Sequence, residues 1–215
     1  MAIIVWGRSS SANVQKVLWA LEELRLPYEH RPLGGQYGGL DDPAYRMLNP
    51  NGLVPTLQDG TTTVWESHAI VRYLSATYGE HTLWRSDTRE RAVVDQWTDW
   101  TATTFQPAWI SVFWLAVRTP TEQQDANAIA EAHERTVRAL KIADEALAQR
   151  PFLAGDRLSY ADVVAGVALY RWFTMDVPRP RMPYVERWYG RMQERDAYRK
   201  TVMVSYAELK GRLAF

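Results

Sequence analysis

The chain has 215 residues, and its 25 Lys and Arg residues balance 25 Asp and Glu residues, which leaves a net charge near zero at pH 7. Because proteins that bind nucleic acid usually carry a basic excess, this balance argues against a nucleic-acid partner. No apolar stretch approaches the ~18 residues of a membrane span, so no membrane partner is expected. The chain has no cysteine, which excludes disulfides and protein thiol nucleophiles, so any sulfur chemistry must come from a ligand.

The first residues show a strand pattern. They lack a basic region followed by an apolar run and a small-residue cleavage site, so we expect no signal peptide and a cytoplasmic location. The 4 histidines are scattered without the spacing of metal ligands, so no metal is predicted.

Strand and helix patterns alternate over the first 80 residues. In chain order they predict a strand at 3–6, a helix from 13 towards Pro27, a strand at 28–33, a glycine-rich loop at 34–39, a helical turn at 42–48, strands at 56–58 and 63–65 around an Asp59-Gly60 turn, and a helix at 67–78. The order β-α-β-α-β-β-α is typical of a thioredoxin-like fold.

After Gly79 only helical patterns remain. They predict helices at 87–118, where Pro107 could introduce a bend, and at 121–149, 159–173, 184–194 and 197–206. We therefore expect an α/β plus all-α protein, with a thioredoxin-like domain at 1–80, a linker at 81–86 and an all-helical domain at 87–215.

Two short motifs lie between the second and third predicted helices. A Pro-Asn-Gly turn leads into Val54-Pro55, where a proline at a strand start marks an interrupted edge and allows a cis peptide bond. Glu66-Ser67 follows 11 residues after Pro55, at the start of a helix, where unpaired N–H groups favour a negatively charged ligand. This order and spacing resemble the glutathione-binding half of the cytosolic glutathione transferases, in a theta-like, serine-type bacterial form.

The resemblance implies roles for these residues. The exposed backbone of Val54, beside cis Pro55, would pair with the extended tripeptide. Ser67 would bind the α-carboxylate of the γ-glutamyl group, and Glu66 would bind its ammonium group. Gln36, in the glycine-rich loop, is a candidate for the glycine end of glutathione, where relatives use Lys or His.

The loop before the first helix contains three serines, followed by Asn13. One of these residues must cap the helix, since serine and asparagine are preferred caps. The resemblance implies that a hydroxyl six residues before Val17, which is Ser11, stabilises the glutathione thiolate, with Asn13 as the second catalytic candidate. Ser9 and Ser10 stay open as alternatives, because a run of serines allows the register to slip.

Two other patterns have structural explanations. Ser159 and Asp162 have the spacing of a helix capping box, so we assign them to folding and not to catalysis. The aromatic residues of the long helix are typical of a core or an interface. A helix lined with aromatics would also suit an apolar pocket, and Phe105 and Trp109 are our candidates for it.

Together these observations predict a glutathione transferase active in detoxification. Glutathione would be the co-substrate, and its thiolate would attack a small hydrophobic electrophile. The resemblance also implies a homodimer. Glutathione-dependent disulfide reductase, peroxidase or isomerase activity on the same fold stays open, as does a non-catalytic glutathione-binding protein.

Overall fold

The computed structural model describes residues 3–213 and begins with a four-stranded mixed sheet of order β2-β1-β3-β4. Its strands are β1 (Ile3–Trp6), β2 (Tyr28–Arg31), β3 (Thr56–Asp59) and β4 (Thr62–Trp65). β2 pairs with β1 in parallel, which requires the crossover helix between them, whereas β3 and β4 join as an antiparallel hairpin.

Three helices alternate with these strands: α1 (Ala12–Glu23), α2 (Pro43–Leu48) and α3 (Ser67–Tyr78). α1 and α3 pack against each other and against the sheet. The apolar residues at helical spacing on α1 are fully buried, among them Val14, Val17 and Leu21. The predicted order of strands and helices is confirmed.

The remainder of the described chain is helical. It contains α4 (Thr88–Trp100), α5 (Gln106–Phe113), α6 (Ala126–Leu147), α7 (Tyr160–Thr174), α8 (Pro183–Gln193) and α9 (Asp196–Thr201). α7 is buried along most of its length and contacts α1 and α3 as well as α4, α5 and α8. This central helix joins the α/β part of the molecule to the helical part.

The predicted helix at 87–118 is continuous but not uniform. π-helical turns at Thr101–Phe105 and Trp114–Arg118 flank α5. Pro107 lies in the first turn of α5, directly after the first of them. Because proline has no N–H group, a change in the hydrogen-bonding pattern at this point accommodates it.

Some predicted boundaries are wrong. α6 begins at Ala126 and not at 121, because the Asp125 side chain caps it by accepting from the N–H groups of Asn127 and Ala128. The last predicted helix stops at Thr201 and does not reach 206. β2 ends at Arg31, two residues earlier than expected, where the chain turns into the glycine-rich loop.

The capping box at the start of α7 is confirmed. Asp162 is fully buried, and its Oδ2 atom accepts hydrogen bonds from the backbone N–H of Ser159 at 2.9 Å and from its hydroxyl at 2.8 Å. Its Oδ1 atom accepts from the N–H of Leu153 and from the indole of Trp188. Asp162 therefore anchors a loop and two helices in the core. Burial raises the pKa of its carboxyl despite these hydrogen bonds.

Candidate functional site

The loop between β1 and α1 places its three serines in different surroundings. Ser9 is exposed, and its carbonyl accepts a hydrogen bond from Gln15. Ser10 is buried, and its hydroxyl makes no hydrogen bond to any residue between 3 and 213. Its carbonyl accepts from the buried Arg171 guanidinium at 2.5 Å, which ties the loop to α7. Ser11 is half-buried at the N-cap position of α1.

The Ser11 hydroxyl does not cap the helix that it precedes. The Ser11 backbone is extended, with φ −78° and ψ 122°, as expected for an N-cap, but the Ser11 side chain makes no capping hydrogen bond. The hydroxyl is therefore not committed to the first N–H groups of α1, which lie close to it and carry the partial positive charge of the helix start. An anion bound beside Ser11 would be favoured by the Ser11 hydroxyl and by the N–H groups at the start of α1.

Val54 lies against this part of the chain. A Cβ atom on Gly7 would lie 2.9 Å from Cβ of Val54 and 2.5 Å from Val14, so only glycine allows this approach. The predicted cis Val54–Pro55 bond is confirmed. The backbone of Val54 lies outside the sheet and makes no hydrogen bond to another residue in the described part of the chain.

Glu66 and Ser67 form the turn from β4 into α3. Glu66 has φ 72° and ψ 116°, a conformation that costs about 1–3 kcal/mol in a residue with a side chain and is concentrated at functional sites. Ser67 is buried, and its hydroxyl donates to Oδ1 of Asn13 at 3.3 Å. This hydrogen bond brings together the predicted residues of α1 and α3.

Lys16 is a site residue that the sequence does not single out. Its side chain is buried, and its Nζ atom lies 3.0 Å from Oδ1 of Asn13 and 2.9 Å from Nε2 of His68. It also donates to Oε1 of Gln106 on α5. The spacing of Asn13 and Lys16, three residues apart on a helix, was the available signal. Lysine is almost never fully buried, so the same pattern normally describes a solvated pair.

Burial controls the protonation of this cluster. It lowers the pKa of Lys16 to about 7, although the carboxylate of Glu66 acts in the opposite direction. Burial and the nearby positive charges of Lys16 and Arg72 lower the pKa of His68 to about 3. His68 is therefore a neutral imidazole at physiological pH. When Lys16 is protonated it can only donate to Nε2, which puts the ring proton of His68 on Nδ1.

Gln36 lies at the exposed edge of the glycine-rich loop, within a 3₁₀ turn at Gly35–Tyr37. The Arg8 side chain packs against its neighbour Gly35, where an added Cβ would lie 2.8 Å from Cδ of Arg8. The sequence shows no basic residue beside Gln36, but the fold brings one there from the β1–α1 loop.

The two aromatic candidates lie in the helical core. Phe105 and Trp109 are both buried, and Phe105 stacks on Trp100 with their rings 5.4 Å apart. Trp109 packs edge-on against Phe113. The structure does not bring either ring to the Asn13–Ser67 pair, whereas Gln106, between them in sequence, reaches it through Lys16.

Residues 3–213 contain neither a metal-binding cluster nor a membrane-spanning helix. No group of three or more His, Cys, Asp or Glu side chains in that range is arranged to hold a metal ion. Over the same range, no helix combines the length and the apolar character needed to cross a membrane.

The chain matches two protein-family models. The model described as "Glutathione S-transferase, N-terminal domain" matches residues 6–82, and the model described as "Glutathione S-transferase, C-terminal domain" matches residues 126–191.

Similar proteins cover almost the whole chain. "Glutathione S-transferase GstB" of Escherichia coli (strain K12) is 38% identical over 204 residues, which is 94% of this chain and 98% of the relative. "Glutathione S-transferase 3" of Zea mays is 33% identical, covering 92% of each chain. The glutathione-bound crystal structure of the theta class glutathione S-transferase from Xanthomonas axonopodis pv. citri superposes with a TM-score of 0.92 at 46% identity, covering 95% of this chain and 98% of that one.

Proposed function

The chain belongs to the glutathione S-transferase family, and on that basis we propose that it holds the thiol of glutathione as a thiolate for attack on an electrophilic carbon. The relative from Xanthomonas, whose fold this chain shares, has glutathione bound. The observation that carries the proposal is the hydrogen bond between Ser67 and Asn13. It places the predicted tripeptide-binding turn next to the helix that begins with the predicted thiol-binding residues.

In the proposed complex, each end of glutathione meets a different part of the α/β half. The backbone N–H and C=O of Val54, held beside cis Pro55, pair with the cysteinyl backbone of the tripeptide. Ser67 donates its N–H and hydroxyl to the γ-glutamyl carboxylate, supported by the start of α3, and Glu66 accepts from the ammonium group. Gln36 binds the glycine end.

The chemical step is a displacement at carbon. Hydrogen bonds from Ser11 and Asn13, together with the start of α1, stabilise the sulfur anion and lower the pKa of the thiol from its free value near 8.5. The thiol proton leaves to solvent. The thiolate then forms a carbon–sulfur bond while the leaving group departs with its electron pair or an epoxide opens. No protein group has to take up the proton in this step, because the nucleophile is already ionised.

The electrophile is proposed to bind between the two halves of the chain, on the side of α5. Phe105 and Trp109 remain our candidates for the apolar wall, and the helix that carries them also carries Gln106. Both rings are buried in the core. They would therefore support the residues that line the pocket, or contact the electrophile directly only after α5 moves.

A glutathione-dependent disulfide reductase is the second candidate function. It is favoured by Asn13, whose side chain is held by two hydrogen bonds in the middle of the site. Peroxidase or isomerase activity on this scaffold would use the same thiolate. A non-catalytic glutathione-binding protein would need the tripeptide contacts but no thiolate stabilisation.

Two measurements separate these functions. Retention on a glutathione-affinity resin tests binding, and failure to bind would remove the proposal altogether. A panel of an aryl halide, an epoxide, a hydroperoxide and a glutathione mixed disulfide then tests the reaction. Turnover of the first two supports the transferase, whereas turnover of the mixed disulfide alone identifies a reductase. Binding without any turnover identifies a binding protein.

We also propose how the chain is organised and where it acts. The glutathione site belongs to a thioredoxin-like domain at 1–80, and the helical domain at 87–215 supplies the electrophile side. Two copies associate as a homodimer through α3 and the helix that starts at α4. The proposed setting is detoxification in the cytoplasm, with no metal required.

A further inference from the structure

The buried amine of Lys16 has three hydrogen-bond partners, one from each of three helices. Its Nζ atom contacts Oδ1 of Asn13 on α1 at 3.0 Å and Nε2 of His68 on α3 at 2.9 Å, and it donates to Oε1 of Gln106 on α5. In the protonated form, the ammonium group has three N–H donors, one for each of these partners when Nε2 of His68 carries no proton. In that state every donor of Lys16 is used.

This arrangement determines which way the Asn13 side chain faces. Oδ1 of Asn13 accepts from both Lys16 and the hydroxyl of Ser67, so the amide nitrogen must occupy the opposite branch of the group. Among residues 3–213, that nitrogen donates to no partner. Asn13 is half-buried, whereas the neighbouring Lys16 is buried. Its N–H groups are directed away from the amine and available to a ligand.

We infer that Lys16 is a positioning residue of the glutathione site, which turns the amide N–H groups of Asn13 towards the sulfur of bound glutathione. The inference rests on the proposed function and extends it to a residue that does not itself touch the thiol. Without Lys16, the Asn13 amide could rotate by half a turn and present its oxygen to the thiolate, which would repel the anion instead of stabilising it.

The contact matters most when glutathione is bound. In the proposed complex Ser67 turns its hydroxyl to the γ-glutamyl carboxylate and releases Oδ1 of Asn13. Lys16 then becomes the remaining donor that holds this oxygen. Because the amine also binds Gln106, the orientation of Asn13 depends on the position of α5 in the helical half of the chain.

The test is a double-mutant cycle read on the thiol of bound glutathione. Lys16→Met keeps the length of the side chain but removes the donors, and Asn13→Ala removes the group that is positioned. Thiolate absorbance titrated on each variant should show the pKa of the bound thiol raised by about one unit in either single mutant, a tenfold loss of thiolate near neutral pH. The double mutant should show no further rise, because Lys16 acts through Asn13. Lys200→Met, which removes an exposed lysine of α9 that pairs with Glu22 near the far end of α1, should titrate like the wild type.

Three outcomes would overturn the inference. The bound thiol could titrate normally in Lys16→Met while Asn13→Ala raises its pKa. The two shifts could add fully in the double mutant, which would show that the positive charge acts directly on the sulfur. The Lys16→Met protein could also melt at a lower temperature while its bound thiol titrates normally, which would show that Lys16 has only a structural role. Glutathione binding by the wild type is measured before any variant is compared. If the wild type binds no glutathione, the proposed function is wrong, and this result is distinct from a failure of the inference about Lys16.

A measurement on the wild type covers the case in which Lys16→Met does not fold. The side-chain amide signals of Asn13, identified by their loss in Asn13→Ala, are followed by NMR from pH 6 to pH 9. The groups that face the amine from other elements are Glu66 and His68 on the α3 side and Gln106 on α5, and the pKa of His68, about 3, lies outside this window. The side-chain signals of Lys16 report its own titration, which is expected near pH 7, and the Asn13 signals should shift with the same midpoint. Asn13 signals that stay constant while Lys16 titrates would contradict the inference.

Discussion

The hydroxyl of Ser67 lies 3.3 Å from Oδ1 of Asn13, although 54 residues separate them in the chain. One residue begins α3 and the other lies in the first turn of α1. The starts of two helices therefore face the same small region, and each favours an anion there. Glutathione carries three negative groups once its thiol is ionised: the γ-glutamyl carboxylate, the glycine carboxylate and the sulfur. The first two predictions below separate the binding of the γ-glutamyl carboxylate from that of the sulfur.

Ser11→Ala should weaken thiolate formation more than glutathione binding. A hydrogen bond to a charged group is worth roughly 1.5–3 kcal/mol, so the pKa of the bound thiol should rise by about one to two units. We expect kcat/KM near neutral pH to fall about 10–100-fold and to recover at higher pH, while glutathione affinity stays within about a few-fold. Thiolate absorbance is the readout, and Ser9→Ala, titrated in parallel, tests the alternative serine. A normal titration in Ser11→Ala beside an altered one in Asn13→Ala would assign the role to the asparagine.

Ser67→Ala should have the complementary effect. Loss of a hydrogen bond to the γ-glutamyl carboxylate should weaken glutathione binding by about 10–100-fold, while kcat at saturating glutathione changes about two- to three-fold. Ser75→Ala is the control, since that serine is buried on the same helix and donates only to the Val71 carbonyl. Calorimetric titration measures the affinity. An unchanged affinity in Ser67→Ala would place the carboxylate elsewhere.

Asp162→Ala should destabilise the protein without changing its chemistry. The substitution leaves four donors around the Asp162 site without an acceptor, from Leu153, Ser159 and Trp188. A buried unsatisfied donor costs about 1–3 kcal/mol and a lost cap about 0.5–2 kcal/mol, so we expect a loss of about 3 kcal/mol or more in the free energy of unfolding. Urea unfolding measures it. Activity per folded molecule, measured well below the transition, should be close to normal, and a stable but inactive variant would show that the assignment to folding is wrong.

Lys16 should make stability depend on pH in the neutral to alkaline range. Its pKa is about 7 in the folded chain, against 10.5 for a lysine in water, so between pH 7 and pH 10.5 the unfolded chain binds more protons. Raising the pH therefore favours folding: the cost of burying the charge is fully present below pH 7 and is relieved towards pH 10.5. Relative to Lys16→Met, the free energy of unfolding of the wild type should rise from pH 7 to 9, by at most about 1.4 kcal/mol per pH unit.

The pH dependence can be assigned to Lys16 by two comparisons. The pKa of His68 is lowered from 6.5 to about 3, so its contribution to stability rises with pH only within that lower window. Lys200→Met removes a lysine whose side chain is 66% exposed and should leave the wild-type dependence intact. Urea unfolding at three pH values measures the slope. Parallel curves for the wild type and Lys16→Met would contradict the buried, titrating amine.

The protein should sediment as a homodimer, at twice the 24.8 kDa of one chain. Arg72 on α3 binds Asp95 and Asp99 on α4, which joins the two helices proposed to meet the partner copy. A cavity between α4 and α6 is lined by Trp97, Trp100 and the exposed Ile142. Analytical ultracentrifugation at micromolar concentration is the measurement, and a monomer under those conditions would count against the proposal.

Local patterns in the sequence were sufficient for the order of the strands and helices, for the cis bond at Pro55 and for the capping box of Ser159 and Asp162. These features depend on neighbouring residues: side-chain periodicity, the geometry of proline and the spacing of a cap. Helix ends were less predictable, as at α6, because several polar residues in a row could serve as its cap.

Only the tertiary structure decided how the site is connected. Lys16, His68 and Gln106 lie on three helices, and their contact depends on how α1, α3 and α5 pack. Nothing in the local sequence distinguishes Lys16 from a solvated lysine, because burial is a property of what surrounds a helix and not of the helix itself. The same holds for Phe105 and Trp109, whose helical spacing describes an aromatic face without saying that the face packs into the core. Motifs close in sequence could therefore be read directly, whereas partners distant in sequence required the folded chain.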